Sequence, residues 1–241
     1  MKRRTLLPLF GLLMLGQLPV AGVAMGLRSF VALPVDKGGA VVRFQLERNE
    51  DVKSTVGIAN LAWGLSHNQT LLFGLPYRLD PSGPKRLGDL AILYRHIVWQ
   101  DDHKQGTSRL GLLGGAVAPT DNDRDAAIQA GFVATFYRGR VEWDFDALYQ
   151  AGIDQRADSG RYDISRQFRL TPAVYPDWGE ITEWDLVIEL NGRWREGSEV
   201  VHQATLGLQW IHQSWVLEAG VTQDLNGPEA TRFLVSTRLH F

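Results

Sequence analysis

The chain has no cysteine among its 241 residues. That absence excludes a disulfide framework, thiolate zinc sites, a cysteine nucleophile and a lipidated N-terminal cysteine, but it does not exclude export. Also missing after residue 24 is any apolar run near the roughly 20 residues that a membrane-crossing helix needs. Nor does any stretch beyond the leader repeat its apolar residues at the helical period. A mature protein of this kind that enters a membrane must therefore cross it with strands. Positive charge is not in excess: 25 Lys and Arg stand against 27 Asp and Glu, a formal charge of −2. No nucleic acid is expected as a partner on that balance. The six histidines show no metal-ligand spacing, and no cofactor is called for.

What is present begins with an export signal. Residues 1–24 open on Lys2, Arg3 and Arg4, continue through an apolar stretch from Leu6 to Leu18, and leave through Gly22, Val23 and Ala24 without one acidic residue. This is the pattern of a cleaved secretory signal peptide. The alternative, an N-terminal membrane anchor, is disfavoured because the run is short and carries Pro8 and Pro19. Losing the leader's three cations takes the formal charge from −2 to −5.

The remainder alternates with period two. From Val141 to Ile153 the odd positions carry Val141, Trp143, Phe145, Ala147, Tyr149, Ala151 and Ile153, whereas Glu142, Asp144, Asp146 and Gln150 occupy even ones. A strand with one apolar and one polar face produces this pattern, and a helix would mix the two sets. The same alternation predicts strands at 40–48, 52–62, 69–79, 88–99, 108–118, 126–138, 140–152, 161–174, 182–195, 199–211, 214–224 and 231–241. Each is about the ten residues that a tilted strand needs to cross a bilayer. Turn-rich pieces such as "DPSGPKR", "PTDNDRD" and "LNGPE" separate them. No composition shift or linker divides the chain, so the reading is one all-β domain at 40–241 after an N-terminal segment at 25–39. That segment, "GLRSFVALPVDKGG" in its larger part, would either plug the barrel or lie in the periplasm.

Period two alone does not separate a soluble sandwich, apolar face inward, from a membrane barrel, apolar face outward. Three observations favour a single antiparallel transmembrane β-barrel of about twelve strands. With alternate segments running up and down, Trp63, Trp99, Trp143, Trp178, Trp184, Trp210 and Trp215 fall at the lower end and Trp194 at the upper. Indoles favour the membrane interface, and Trp143, Trp184, Trp210 and Trp215 are expected to form a girdle there. Trp99 would point inward by its parity. An even strand count puts both termini at one end, as periplasmic insertion requires. Finally, the chain ends inside a strand, "RFLVSTRLHF".

That ending, with Phe233, Val235, Leu239 and Phe241 on alternate positions, resembles the assembly signal of bacterial outer-membrane β-barrel proteins. The resemblance implies outer-membrane localisation and recognition by the barrel-assembly machinery. A narrower resemblance rests on Leu75-Pro76-Tyr77, Gly88-Asp89-Leu90, Tyr94-Arg95 and Pro119-Thr120. Together these are similar to the transporter-like outer-membrane family named for the meta-pathway of phenol degradation. The chain departs from the family pattern at Arg86-Leu87, where a second glycine is often seen, and at Asp121, where glycine often follows the Pro-Thr. The resemblance implies a channel or uptake protein for small solutes, apolar or aromatic compounds among them.

The polar faces supply lumen-lining candidates: Arg43, Glu142, Asp144, Asp146, Asp185, Glu189, Arg193 and Glu218. Carboxylates about 7 Å apart along one strand face either bind or select cations, or are solvated and paired across the barrel. The second is the commoner state of polar interiors. The adjacent Ser66-His67 and the near pair His212 and Ser214 are the only sequence neighbours that suggest a dyad. Both sit at predicted turns without a surrounding motif, so no enzyme is expected. The leading expectation is a passive channel in outer-membrane lipid, with selectivity set by lumen charge and by outward loops near 80–87, 119–125 and 154–160. A non-transporting envelope barrel comes second and a lipid-modifying enzyme third.

Overall fold

The computed structural model describes residues 26–171, 182–227 and 230–241. The leader and Trp178 lie outside the described residues. Twelve strands follow one another: β1 Ala40–Asn49, β2 Ser54–Ser66, β3 Gln69–Asp80, β4 Leu90–His103, β5 Gly106–Ala118, β6 Ala127–Arg138, β7 Val141–Gly152, β8 Ser159–Arg169, β9 Thr182–Arg195, β10 Val201–His212, β11 Trp215–Asp224 and β12 Thr231–His240. Each pairs antiparallel with its sequence neighbours. β1 also pairs with β12, from Val41 opposite His240 to Asn49 opposite Arg232, which closes the sheet. Closure leaves no free edge and satisfies the backbone within the wall, the condition for crossing hydrocarbon.

The two faces are inverted relative to a soluble fold. Phe44, Leu46, Leu112, Ile128, Leu206 and Val235 are exposed on the outside, while Arg43, Asp144, Gln167, Glu189, Asn191 and Arg238 are buried inside. Water as the outer solvent would strip this arrangement of its hydrophobic driving force, whereas lipid outside and polar groups inside satisfies both faces. The chain is therefore a transmembrane barrel of the bacterial outer membrane, and the soluble sandwich is excluded. Four of the lower connections are two residues long, at 67–68, 104–105, 139–140 and 213–214. Upper loops run longer, at 81–89, 119–126 and 153–158 among others. The upper end is thus the outward one, and β1 begins and β12 ends on the periplasmic side.

Two local departures from regular pairing matter. A register shift between Ile97 and Trp99 leaves Val98 unpaired and sets Trp99 opposite Leu110 on the outer face, where it is exposed. The inward orientation expected from parity is thus corrected, because a bulge inserts one residue into the alternation. Between β3 and β4 the ladder runs only from Gln69–His96 to Gly74–Ala91. Above it, Pro76 has no N–H to give, and the 81–89 loop folds back instead: Gly88 N donates to Pro76 O at 2.7 Å and Arg78 N to Arg86 O at 2.9 Å.

Candidate functional site

The lumen has two unlike walls. Leu72, Leu93, Ile97, Leu113, Val133 and Leu148, contributed by β3 to β7, form an apolar stripe. Opposite it, β7 to β12 and β1 carry most of the charged groups, whereas Arg95 of β4 is a buried cation on the apolar side. All eight lumen candidates point inside: Arg43, Glu142, Asp144, Asp146, Asp185, Glu189 and Glu218 are buried, and Arg193 is partly so.

These charges are tied to one another and to neutral donors. Glu218 takes Arg43 at 2.8 Å and Arg238 at 2.7 Å, and Ser236 Oγ donates to it as well. Arg193 meets Asp163 at 2.7 Å, and Asn191 Nδ2 donates to Asp163 at 2.7 Å. The column on β7 divides. Asp144 accepts Thr135 Oγ1 at 2.6 Å and Gln167 Nε2 at 2.9 Å, and Glu142 accepts Gln167 at 3.4 Å. Asp146 lies 3.6 Å from Arg161. Among the described residues no group of three or more His, Asp or Glu side chains could hold a metal ion. Asp185 is the exception, since its buried Oδ1 has no hydrogen-bond partner among the described residues; the others are paired lumen groups rather than a ladder of free carboxylates.

The N-terminal segment occupies the space between the walls. It leaves β1 through a turn at the periplasmic rim, where Gly38 N donates to Gly64 O at 2.8 Å and Gly64 N to Gly39 O at 3.0 Å. A Cβ on Gly64 would collide with the carbonyl oxygens of Val35 and Asp36, so only glycine leaves this entry open. From there residues 26–36 rise into the lumen as a strap. Its backbone is satisfied by wall side chains rather than by a β-ladder. Ala32 N donates to Thr135 Oγ1 at 2.8 Å and Phe30 N to Asp146 Oδ2 at 2.7 Å. Arg28 N donates to both oxygens of Glu189 at 3.2 Å, and Ser29 Oγ to the same carboxylate. Arg95 donates to the carbonyls of Val31 and Leu33 at 2.5 and 2.7 Å, and Arg43 donates to that of Leu27.

Side chains of the strap sort by wall. Ala32 is buried in the apolar stripe with Phe30 packed against it, and Arg161 lies 4.2 Å above the Phe30 ring. Leu27 is buried with Val187 and Leu234 in a hollow that exists because Gly207 and Gly220 carry no side chains. Arg28 reaches outward to Gln203 at 2.7 Å and Glu47 at 3.6 Å.

Thr135 and Asp163 hold this arrangement together and were not singled out in the sequence. A lone polar residue on the wet face of a strand gives no sign of what crosses from the other side. The two Ser/His neighbours do not act together: Ser66 Oγ donates to Asn68 Oδ1 at 2.8 Å, and the His212 ring packs with Trp210 and Trp215 at 5.8 and 5.6 Å. Of the girdle, Trp143 and Trp184 are exposed outside, with Trp210 stacked on Trp184 at 6.1 Å and edge-on to Trp215 at 4.8 Å.

No family model matches the chain, and no curated protein matches it in sequence. Solved structures do match it. It is similar to the COG4313 outer membrane channel from Pseudomonas putida F1, at 18% identity and a TM-score of 0.56 over 91% of this chain and 100% of the other. It is also similar to the KdgM porin, at 8% identity and a TM-score of 0.52, over 83% and 99% of the two chains. The KdgM porin in complex with disordered oligogalacturonate matches at 8% identity with a TM-score of 0.51, over the same shares. Identities this low speak for the fold.

Proposed function

We propose that the barrel is a passive outer-membrane channel for small solutes in which residues 26–36 form the constriction. The observation that carries this is the way the strap is held. A barrel of twelve strands encloses more space than its own side chains fill, and here that space is taken by a segment with no ladder to the wall. It is bound through Arg95, Arg43, Glu189, Asp146 and Thr135. Such a segment narrows the lumen and can shift without opening the sheet.

The two-walled lumen supports a cargo with an apolar body and a polar edge. That agrees with the resemblance to the phenol meta-pathway family, whose aromatic or apolar solutes are part of this proposal. The similar solved structures are named as a channel and a porin, which supports the same reading. A second reading, a sealed envelope barrel, is favoured by the apolar packing of Phe30 and Ala32 against the β3 to β7 stripe.

Single-channel conductance and liposome swelling separate the two readings. The channel reading expects measurable flux for the native barrel and a larger conductance when Arg95→Met and Glu189→Ala together loosen the strap. Absence of flux in both proteins, with the strap of the variant demonstrably open to protease, would establish the sealed barrel instead.

A further inference from the structure

Arg166 is a cation on the wrong face. It stands on the outer side of β8, in register with Trp143 on β7 and Ile188 on β9, and is exposed there. Its guanidinium carbon lies 4.8 Å from the Trp143 ring and 4.3 Å from the Phe168 ring. Among the described residues it has no hydrogen-bond or ion-pair partner, and no carboxylate adjoins it on the outer surface. Trp143 stacks on Phe145 at 6.0 Å with 9° between the planes, and Phe136 meets Phe145 edge-on at 6.1 Å. Phe136, Trp143 and Phe145 line a shallow groove of about 230 Å³.

The depth of this cluster fixes its surroundings. Trp143, third residue of β7, lies close to the periplasmic turns, level with the indole girdle. A charge in contact with lipid is expensive unless it reaches an opposite charge. A snorkelling side chain reaches the headgroups with a flexible stem. This guanidinium instead lies against two aromatic faces, which leave its planar edge free and restrict its rotamers. A planar fork of N–H donors matches a phosphodiester in a bidentate way, and aromatic faces beside it match an acyl chain.

We infer that Arg166, Trp143 and Phe168, with the Phe136–Phe145 groove, form a binding site for the phosphate of one phospholipid on the periplasmic side of the membrane. The guanidinium pairs with the phosphodiester and the groove takes the first part of an acyl chain. Among Arg166, Trp143, Phe168, Phe136 and Phe145 the one charged group is the guanidinium, so the site reads the phosphodiester and not the headgroup beyond it.

The test is native mass spectrometry of the full barrel released from detergent, titrated separately with phosphatidylglycerol, phosphatidylethanolamine and diacylglycerol. Both phospholipids should give a saturable adduct and diacylglycerol should give none. Arg166→Gln should weaken the phospholipid adduct about tenfold or more, as expected for loss of a charge-assisted pair. Arg166→Lys should fall between, and Ile128→Ala, also lipid-facing but near the outward end of β6, should leave binding unchanged. Heat-modifiable migration on a gel shows that each variant is folded. If Arg166→Gln does not fold, Phe145→Leu keeps the cation, removes the ring that backs Trp143, and should weaken the same adduct. Equal binding of diacylglycerol, or unchanged phospholipid affinity without the guanidinium or the ring, would overturn the site.

Discussion

Arg95 Nη1 donates to the backbone carbonyl of Val31 at 2.5 Å, from a side chain only 2% exposed. One wall residue on β4 thus grips the strap 64 positions earlier in sequence, and its second arm holds Leu33. Hydrogen bonds to a charged partner contribute about 1.5–3 kcal/mol each, so this residue is a main anchor of the strap. Replacing it by Met keeps the stem and removes both bonds. The expected result is faster tryptic cleavage after Arg28 in the folded barrel, with the barrel's own heat-modifiable migration retained. Unchanged cleavage would show that Glu189 and Asp146 hold the strap without it.

Glu218 joins β11 to β1 and β12 by pairing with Arg43 and Arg238, and its side chain is fully buried. Removing one partner of a buried ion pair leaves an uncompensated charge and typically costs about 3–5 kcal/mol. Glu218→Ala should therefore lower the urea midpoint of the refolded barrel by a corresponding amount. Adding Arg238→Met to it should restore part of the loss, since one of the two cations that Glu218 neutralised is then gone. Strictly additive losses would mean that Glu218 and Arg238 act independently.

At the outward mouth, Asp89 takes Arg124 at 2.8 Å and Arg156 at 2.7 Å, tying the 119–126 and 153–158 loops to the start of β4. Thr120 N donates to Asp89 at 3.3 Å and Thr120 Oγ1 to Gly88 O at 2.9 Å. Asp89→Ala should make both loops protease-sensitive while the barrel's thermal transition moves little, because the ladders below are untouched. Nearby, the backbone N–H of Asp123, and then Lys85, hold the Asp121 carboxyl below its ordinary 3.8. A depressed carboxylate stabilises its loop above the unfolded value and loses that effect as pH falls through the folded one. Protease sensitivity of the native loop should accordingly rise only below about pH 4.

The strands and their faces were legible because burial on a closed wall repeats every two residues, and that repeat survives in Val141–Gly152 as it does in Thr231–His240. Where the backbone departs from the repeat, parity misleads: the bulge before Trp99 turned its ring outward. The place of the strap was not legible, since residues 26–36 have no periodicity and their partners lie far off, Phe30 on Asp146 and Arg28 on Glu189. Gly88-Asp89 and Pro119-Thr120 stood out as separate pieces of a resemblance. Only the fold shows that they are one contact between two loops.

Phe241 closes the chain with its backbone rather than its ring. Its N–H donates to Ala40 O at 2.8 Å and its carbonyl accepts Ala40 N at 3.1 Å, while the side chain is 70% exposed on the outer surface. A ring in that position contributes little packing, so Phe241→Ala should change the refolded barrel's urea midpoint by no more than an ordinary surface substitution, about 0.5 kcal/mol. Assembly is a different matter if the barrel-assembly machinery reads the terminal aromatic together with Phe233, Val235 and Leu239. The amount of heat-modifiable protein in the outer membrane should then fall several-fold in cells expressing the same variant. Comparing the two readouts in one variant, with the backbone bonds to Ala40 left in place, separates recognition from packing. Parallel losses in cells and in refolding would mean that the ring only packs, and an undiminished yield in cells would mean that the machinery reads something else.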